Sequence, residues 1–165
     1  MIFVTVGTHE QPFDRLVKAI DDLAAAGILT EEVIIQTGYS TYTPRHCTWQ
    51  PFFPNGEMTR LVREARIVIT HGGPASFLLP IRYGKVPVVM PRIRSFGEHV
   101  NDHQLTFCRE VAARNRNILL AEDARTLEAI LADYDALAAQ CPVEAVSNNA
   151  AFNRGIQSLA EALLQ

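Results

Sequence analysis

Short apolar runs alternate along the chain with longer amphipathic segments. The runs are rich in valine and isoleucine, and most end at a glycine, a proline or a histidine, which is typical of strands buried on both faces of a parallel sheet. A more polar stretch, residues 39–56, is mainly connection but contains one further short run. The predicted strands are residues 2–6, 33–37, 47–50, 67–70, 86–90 and 117–120.

The amphipathic segments predict helices, and several of them have recognisable ends. Pro12 lies at an allowed first-turn position of the first helix, and Gly27 closes it. Asn55 is predicted to cap the second helix, and Gly84 to end the third. The predicted helices are residues 13–24, 58–65, 77–83, 102–113, 126–139 and 147–164.

This order of elements predicts the fold class. Strand, helix and strand in succession form right-handed βαβ units, and their repetition gives one α/β domain over residues 1–165 with a single Rossmann-like, doubly wound, mostly parallel sheet. In such a sheet, ligands bind where the strands end at the carboxyl edge. The last helix, 147–164, either packs on the sheet or contacts a partner.

Composition narrows the class of protein. Of the 165 residues, 48% are hydrophobic and 20% are charged, which excludes disordered, collagen-like and coiled-coil chains. No apolar run reaches the ~20 residues of a bilayer crossing, and the N-terminus lacks the pattern of a signal peptide, so we expect a cytoplasmic protein. The three cysteines form no C-x-x-C pair, which predicts reduced, buried thiols.

Charge is unevenly distributed along the chain. The net charge is only −3, yet residues 60–94 contain seven Lys or Arg against the single acid Glu64. This excess favours a phosphorylated ligand, or a partner at an anionic membrane surface, over nucleic acid. Alternatively, Arg60, Arg63 and Arg66 are the solvated face of a helix.

Polar, glycine-rich segments follow the predicted strands at 7–10, 37–39, 71–76 and 97–104, and they contain every histidine except His46. If they converge at the carboxyl edge of the sheet, they form one cleft. A Gly-Gly pair before a helix lets backbone N–H groups approach a phosphate, although it also suits a simple turn. The absence of Gly-x-Gly-x-x-Gly and of a P-loop argues against a dinucleotide-binding domain and a P-loop NTPase.

The joint spacing of these segments resembles a known family. The motifs are Val4-Thr5-Val6-Gly7-Thr8-His9, His71-Gly72-Gly73-Pro74-Ala75-Ser76, Gly84-Lys85-Val86-Pro87, Pro91-Arg92 and Glu98-His99-Val100-Asn101-Asp102-His103-Gln104. Over roughly residues 1–135 they are similar to the C-terminal, donor-binding half of GT-B glycosyltransferases. More closely, they resemble the free-standing family 28 subunits of bacterial capsule and exopolysaccharide synthesis, and the catalytic part of the two-piece dolichol-linked N-acetylglucosamine transferase.

The resemblance implies a UDP-sugar donor site that needs no metal and no cofactor. By this resemblance, the 71–76 segment cradles the donor diphosphate and the polar side chains of the 98–104 segment bind the sugar hydroxyls. Arg92 would help to stabilise the leaving diphosphate. For two positions the residues allow alternatives: His71 is a strand-end histidine bonded to backbone, and Asp102 is a helix cap. The implied substrate-binding residues are Gly7, Thr8, Thr37, His71, Gly72, Gly73, Ala75, Ser76, Arg92, Glu98, His99, Asn101, Asp102, His103 and Gln104.

The resemblance also implies inverting transfer of a hexose or hexuronate to a lipid-diphosphate-linked saccharide, held by a membrane-anchored partner subunit that brings this chain to the inner face of the plasma membrane. The candidate catalytic residues are His9 and Glu10, since a histidine near its ordinary pKa can act as general base. His9 is equally a candidate phosphate contact or loop-orienting residue, and the base can instead lie on the partner.

One position departs from the family pattern. The acidic residue that often holds the ribose is Leu79 here, so ribose recognition falls to Gln36, Thr37 or Tyr39, although Tyr39 is as well explained by packing. Leu79 favours an alternative function, a non-catalytic nucleotide-sugar-binding scaffold. A third hypothesis, a hydrolase or epimerase, lacks the Gly-x-Ser-x-Gly motif. The residues that together favour the enzyme are His9, Ser76, Glu98, Asp102 and Gln104.

Overall fold

The structure, a computed structural model, describes residues 1–142. Six strands form one sheet in the order β3-β2-β1-β4-β5-β6, and every neighbouring pair is parallel. The doubly wound, Rossmann-like prediction is therefore confirmed, with a sheet that is parallel throughout. The strands are β1 Ile2–Thr5, β2 Val33–Gln36, β3 Thr48–Gln50, β4 Ile67–His71, β5 Val88–Met90 and β6 Leu119–Leu120.

Helices cover both faces of this sheet. Leu16, Val17 and Ile20 of the first helix pack against one face, and Leu61 and Val62 of the second pack against the other. A single 3₁₀ turn, Arg94–Phe96, follows β5. The helices are α1 Asp14–Ala25, α2 Asn55–Glu64, α3 Pro74–Arg82, α4 His103–Arg114, α5 Ala124–Ala132 and α6 Tyr134–Ala139.

The alternation of side chains along β1 shows why the strands are apolar throughout. Ile2 and Val4 contribute to the cluster under α1 and α5, whereas Phe3 contributes to the cluster under α2. All three are at most 1% exposed. Burying such a side chain contributes roughly 1.5–3 kcal/mol, so a central strand with helices on both sides needs apolar residues at every position.

Two helix predictions need correction, and a third is not tested. Asn55 does not cap α2, because the helix begins at Asn55 itself and Pro54 precedes it without a side-chain cap. The predicted helix 126–139 is two helices separated by Asp133, and the first begins at Ala124, where the Asp123 carboxylate accepts a hydrogen bond from the Thr126 N–H at 2.7 Å. The predicted helix 147–164 lies outside the described residues.

Strand order decides where the site can lie. β1 and β4 are neighbours in the sheet but are far apart in sequence, and the chain winds away from this pair in opposite directions. Such a topological switch point opens a crevice at the carboxyl ends of the two strands. The crevice lies between the residues after Thr5 and the residues after His71, which are two of the predicted polar segments.

Candidate functional site

A cavity of about 760 Å³ lies at this switch point. Its size is within the range of small-molecule sites. None of its lining residues in the described part of the chain is acidic, which suits an anionic ligand. The predicted site residues that it brings together are Gly7, Thr8, His9, His71, Gly73, Ala75, Ser76, His99 and Gln104.

His71, the last residue of β4, is held by two hydrogen bonds at the base of this cavity. Its Nδ1 accepts the N–H of Gly73 at 3.0 Å, and its Nε2 lies 2.9 Å from the Ser76 Oγ. Burial, reinforced by the nearby positive charge of Arg92, lowers the pKa of His71 to about 4. The imidazole is therefore neutral at physiological pH.

The protonation state of His71 determines what Ser76 can do. Since Nδ1 of the neutral ring accepts a hydrogen bond from the Gly73 N–H, the ring's own proton is on Nε2, which donates a hydrogen bond to the Ser76 Oγ. The Ser76 hydroxyl proton is then available for a ligand in the cavity. The hydrogen bond from the Gly73 N–H agrees with the alternative of a backbone-bonded, strand-end histidine, and a phosphate contact at this position stays a prediction.

Two glycines make room for this imidazole. A Cβ on Gly7 would lie 2.3 Å from the His71 Nε2, and a Cβ on Gly73 would lie 2.2 Å from its Cε1. Gly7 also has a positive φ of 77°, which disfavours any other residue. Gly72 serves packing, because a Cβ there would lie 2.9 Å from the Cys108 Sγ in α4. Close approach of the His71 ring and the Cys108 thiol therefore explains why these positions are glycines.

His9 and His99 form a second pair at the rim of the cavity. Their rings are stacked, with centroids 4.7 Å apart and planes at 24°. The His9 Nε2 lies 2.9 Å from the Gln11 Oε1, and because an amide oxygen only accepts, this nitrogen carries the proton and Nδ1 is the available acceptor. Burial, with the neighbouring His9, lowers the pKa of His99.

The far end of the cavity is apolar and was not predicted. Phe52, Phe53 and Met58 line it, and the side-chain amide of Gln36 joins it to the polar end. The Gln36 Nε2 donates to the Gly7 carbonyl at 3.3 Å, while its Oε1 accepts the Phe53 N–H at 3.4 Å. The remaining lining residues are Thr5, Asn55 and Pro74.

The predicted sugar-binding segment 98–104 only partly faces the cavity. The Glu98 carboxylate is 4% exposed and pairs with Arg15 through two hydrogen bonds of 2.8 Å. Asp102 accepts the Arg94 N–H at 2.8 Å and makes no side-chain cap to α4, so neither predicted carboxylate lines the cavity. The Asn101 Oδ1 accepts the His103 N–H at 3.1 Å, outside the cavity.

Three more predicted residues lie elsewhere. The sequence predicts that Arg92 contacts the substrate directly. This prediction is wrong, because the guanidinium is fully buried and donates to backbone carbonyls. The Thr37 hydroxyl, also buried, points to the Gln50 carbonyl at 3.5 Å. Glu10 is exposed and does not line the cavity. Of the two candidate bases, only His9 is in the site.

Within residues 1–142, two of the seven basic residues of 60–94 form ion pairs at the surface. Arg60 bonds Glu64 at 2.7 Å, and Arg66 bonds Asp135 at 2.7 Å and also Glu31.

Burial raises the pKa of Cys108 to about 12, so this thiol stays protonated. Residues 1–142 include no helix long and apolar enough to cross a bilayer, and no cluster of three or more His, Cys, Asp or Glu suited to a metal ion.

The fold and the position of the cavity define an α/β protein of the Rossmann-like class found as the C-terminal half of GT-B glycosyltransferases. The model of the glycosyltransferase family 28 C-terminal domain matches residues 1–160. The chain belongs to this family, and the resemblance found in its motifs is confirmed. No curated protein matches the chain.

Solved glycosyltransferase structures share this fold at low sequence identity. The glycotransferase of kitacinnamycin aligns with a TM-score of 0.59 at 16% identity, over 84% of this chain and 36% of that one. SnogD from Streptomyces nogalater gives 0.52 at 19% identity over the same shares, and MurG from Acinetobacter baumannii gives 0.50 at 17% over 81% and 40%. The chain therefore spans well under half the length of these enzymes.

Proposed function

We propose that this chain is the donor-binding, catalytic subunit of a two-component inverting glycosyltransferase, which moves a hexose or hexuronate from a UDP-sugar to a lipid-linked acceptor in capsule or exopolysaccharide synthesis. The observation that carries the proposal is the His71–Ser76 pair at the base of an acid-free cavity, in a chain of this family.

The diphosphate lies at the polar end. Ser76 offers its hydroxyl proton, and Ala75, in the first turn of α3, offers a backbone N–H without a partner inside the helix. The helix N-terminus adds partial positive charge, and the buried guanidinium of Arg92 adds a full one. These groups also stabilise the leaving diphosphate during transfer, so the residues present suit a metal-independent reaction.

The nucleoside lies at the apolar end, against Phe52, Phe53 and Met58. Ribose recognition uses Gln36 or Asn55, the amide side chains at this end, because Leu79 packs in the apolar cluster around Phe3 and offers no acceptor. The sugar lies toward His99 and Gln104, which are the two members of the 98–104 segment that line the cavity.

His9 is the general base of the proposed reaction. Its Nε2 proton is committed to Gln11, so Nδ1 receives the proton of the acceptor hydroxyl as that oxygen attacks the anomeric carbon. His99, stacked on the ring, holds it in orientation. The acceptor enters from the open side of the cavity, on a membrane-anchored partner that faces this domain and keeps the chain at the inner face of the plasma membrane.

A second candidate function is a non-catalytic, nucleotide-sugar-binding scaffold. Two observations favour it: Leu79 replaces the ribose acid, and the Glu98 and Asp102 carboxylates are engaged away from the cavity. The two functions make the same prediction for donor binding, and they differ in turnover.

Calorimetric titration of the purified chain with UDP, UDP-glucose and UDP-glucuronate in excess EDTA tests donor binding. We expect a single site, with the Ser76→Ala variant weaker and the Asn101→Ala variant, whose side chain lies outside the cavity, unchanged. No heat and no thermal shift at millimolar UDP would contradict the donor site.

Turnover is then measured on membranes that contain the co-expressed product of the neighbouring gene. His9→Gln should leave UDP affinity within a few-fold while turnover falls roughly 10²–10⁴-fold, the usual contribution of a general base. Equal losses in both would make His9 a diphosphate contact. Donor binding without any transfer would favour the scaffold, and transfer by the purified chain alone would contradict the two-subunit arrangement.

A further inference from the structure

Arg92 is the largest fully buried side chain in residues 1–142, and its hydrogen bonds reach the loops that carry the two stacked histidines. Taking an arginine out of water costs several kcal/mol unless hydrogen bonds replace its solvation. Here the guanidinium donates to the carbonyls of Gln11 at 2.7 Å, Val6 at 2.9 Å and Glu98 at 3.1 Å. It also lies 4.8 Å from the centre of the Phe13 ring.

Each of the three carbonyls belongs to a residue close in sequence to one of the two stacked histidines. Val6 and Gln11 are on either side of the 7–10 loop, which carries His9, and Glu98 immediately precedes His99. One planar group with donors in fixed directions therefore fixes both ends of the first loop and the residue next to the stacked ring. A lysine, with its donors on one nitrogen, cannot span the same three acceptors.

A second arginine leaves the charge of Arg92 without a bonded carboxylate. Arg15 takes both oxygens of Glu98, through its Nε and one terminal nitrogen at 2.8 Å each. It also donates to the carbonyls of Pro91 and Glu122. Two arginines against one carboxylate leave a net positive charge under the cavity.

This charge is felt inside the cavity. Burial lowers the pKa of Arg92 to about 10, so the group is still positive at neutral pH. The same charge is one of the causes that lower the pKa of His71 and of His99. Because the group is buried, its attraction for an anion in the cavity is screened less than that of a surface charge.

We propose that Arg92 is a positioning residue that sets the His9–His99 stack through the carbonyls of Val6, Gln11 and Glu98, and that its uncompensated charge raises the affinity of the cavity for an anionic ligand. The identity of that ligand as a nucleoside diphosphate rests on the proposed function, whereas the positioning role rests on contacts alone.

Two substitutions separate position from charge. Arg92→Lys keeps the charge and loses the planar set of donors, and Arg92→Met loses both at similar size. A matched control is Asp21→Asn, because this carboxylate is equally buried and accepts hydrogen bonds from Tyr42 and His46, yet does not line the cavity. All three are compared with the wild-type chain by thermal unfolding, histidine ring NMR, UDP titration and transfer with the partner.

We expect Arg92→Lys to shift the His9 and His99 ring signals toward those of isolated imidazoles and to lower turnover by roughly 10²-fold, the cost of a misplacement of about 1 Å, with UDP affinity within about threefold. Arg92→Met should also weaken UDP binding by about tenfold or more. Asp21→Asn should lower the melting temperature and leave ring signals and UDP affinity unchanged.

Ring signals and turnover of Arg92→Lys equal to those of the wild type would overturn the positioning role, and unchanged UDP affinity in Arg92→Met would overturn the charge role. If Arg92→Met does not fold, Arg92→Gln replaces it. If the wild-type chain neither binds UDP nor supports transfer, the proposed function fails, and the ring signals of Arg92→Lys still decide the positioning role.

Discussion

Two polar segments at the carboxyl edge of the sheet have the same character in the sequence and different roles in the structure. In the His71–Ser76 segment, the histidine is fixed by Gly73 and orders Ser76 toward the cavity. In the Glu98–Gln104 segment, the carboxylates bind Arg15 and the Arg94 N–H, and only His99 and Gln104 line the cavity.

The difference shows that a cluster of polar residues after a strand identifies an edge of the sheet rather than a set of ligands. In the first segment, the neighbouring residues satisfy one another at close range, which leaves the Ser76 hydroxyl proton for a ligand. In the second, the polar groups stabilise a loop that crosses from β5 to α4, and they hold His99 against His9. We propose that the first segment binds the ligand, whereas the second largely positions other residues.

The largest effect we predict concerns the space around His71. Gly7→Ala should lower the free energy of unfolding by about 4 kcal/mol, since it combines a residue at positive φ with overpacking against the His71 ring. Gly27→Ala is the matched control, because Gly27 has a φ of 71° and open space around its Cβ position. It should cost only about 1–2 kcal/mol. Equal losses in denaturant unfolding would show that His71 has room to move.

The second prediction concerns pH. An unfolded histidine binds a proton below its ordinary pKa of 6.5, whereas folded His71 resists protonation down to about pH 4. The stabilisation is therefore complete above pH 6.5 and is lost as the pH falls toward 4, by about 3 kcal/mol in total. Denaturant unfolding across this range should show a shallower dependence for His71→Asn. His99 contributes to the pH dependence of both the wild type and the variant, so the difference between the two profiles reports on His71. Parallel profiles would contradict the neutral, buried imidazole.

The third prediction separates stability from binding in the second segment. Glu98→Gln leaves Arg15 without its carboxylate, which should lower the free energy of unfolding by about 2 kcal/mol, less than for a fully buried pair because Arg15 is 18% exposed. UDP affinity per folded molecule, measured by calorimetry at a temperature where the variant is folded, should not fall and should rise severalfold, because the variant has one negative charge fewer beside Arg92. A large loss of affinity at unchanged stability would return Glu98 to the role of a ligand.

The smallest effect we predict is a loss of UDP affinity without a loss of stability, at Ser76 in the first segment. Ser76→Ala should weaken UDP binding about fivefold, the contribution of one hydrogen bond of about 1 kcal/mol, and should change the melting temperature little. Asn101→Ala, in the second segment, removes the acceptor of the His103 N–H and should lower the melting temperature slightly, without a measurable change in UDP affinity. A stronger effect of Asn101→Ala than of Ser76→Ala in the same titration would reverse the comparison.

The fold could be predicted because its signals are local. Valine- and isoleucine-rich runs and amphipathic spacing depend on neighbouring residues only, and they located all six strands. The break at Asp133 between α5 and α6 has no glycine or proline to mark it, so it was missed. The cavity's apolar end was missed as well, because residues 39–56 show no periodicity that would indicate which aromatic side chains turn inward.

The site could be predicted only where its contacts are local. Gly73, Ser76 and His71 are within five residues of one another, and their motif indicated a phosphate site. The partner of Glu98 is 83 residues away in sequence, so nothing near it distinguishes an ion pair from a sugar ligand. Arg92 was assigned to the diphosphate because its type suits an anion, whereas three distant carbonyls determine its direction.

Backbone amide NMR of the ¹⁵N-labelled chain, titrated with UDP in excess EDTA, tests the donor site most directly. We predict saturable shifts at Gly7, Thr8, Ala75, Ser76 and Phe53, which surround the two ends of the cavity, and little change at Asn101 and His103. Absence of saturable shifts, or shifts confined to the Glu98–Gln104 segment, would contradict a nucleotide-sugar site built on His71 and Ser76.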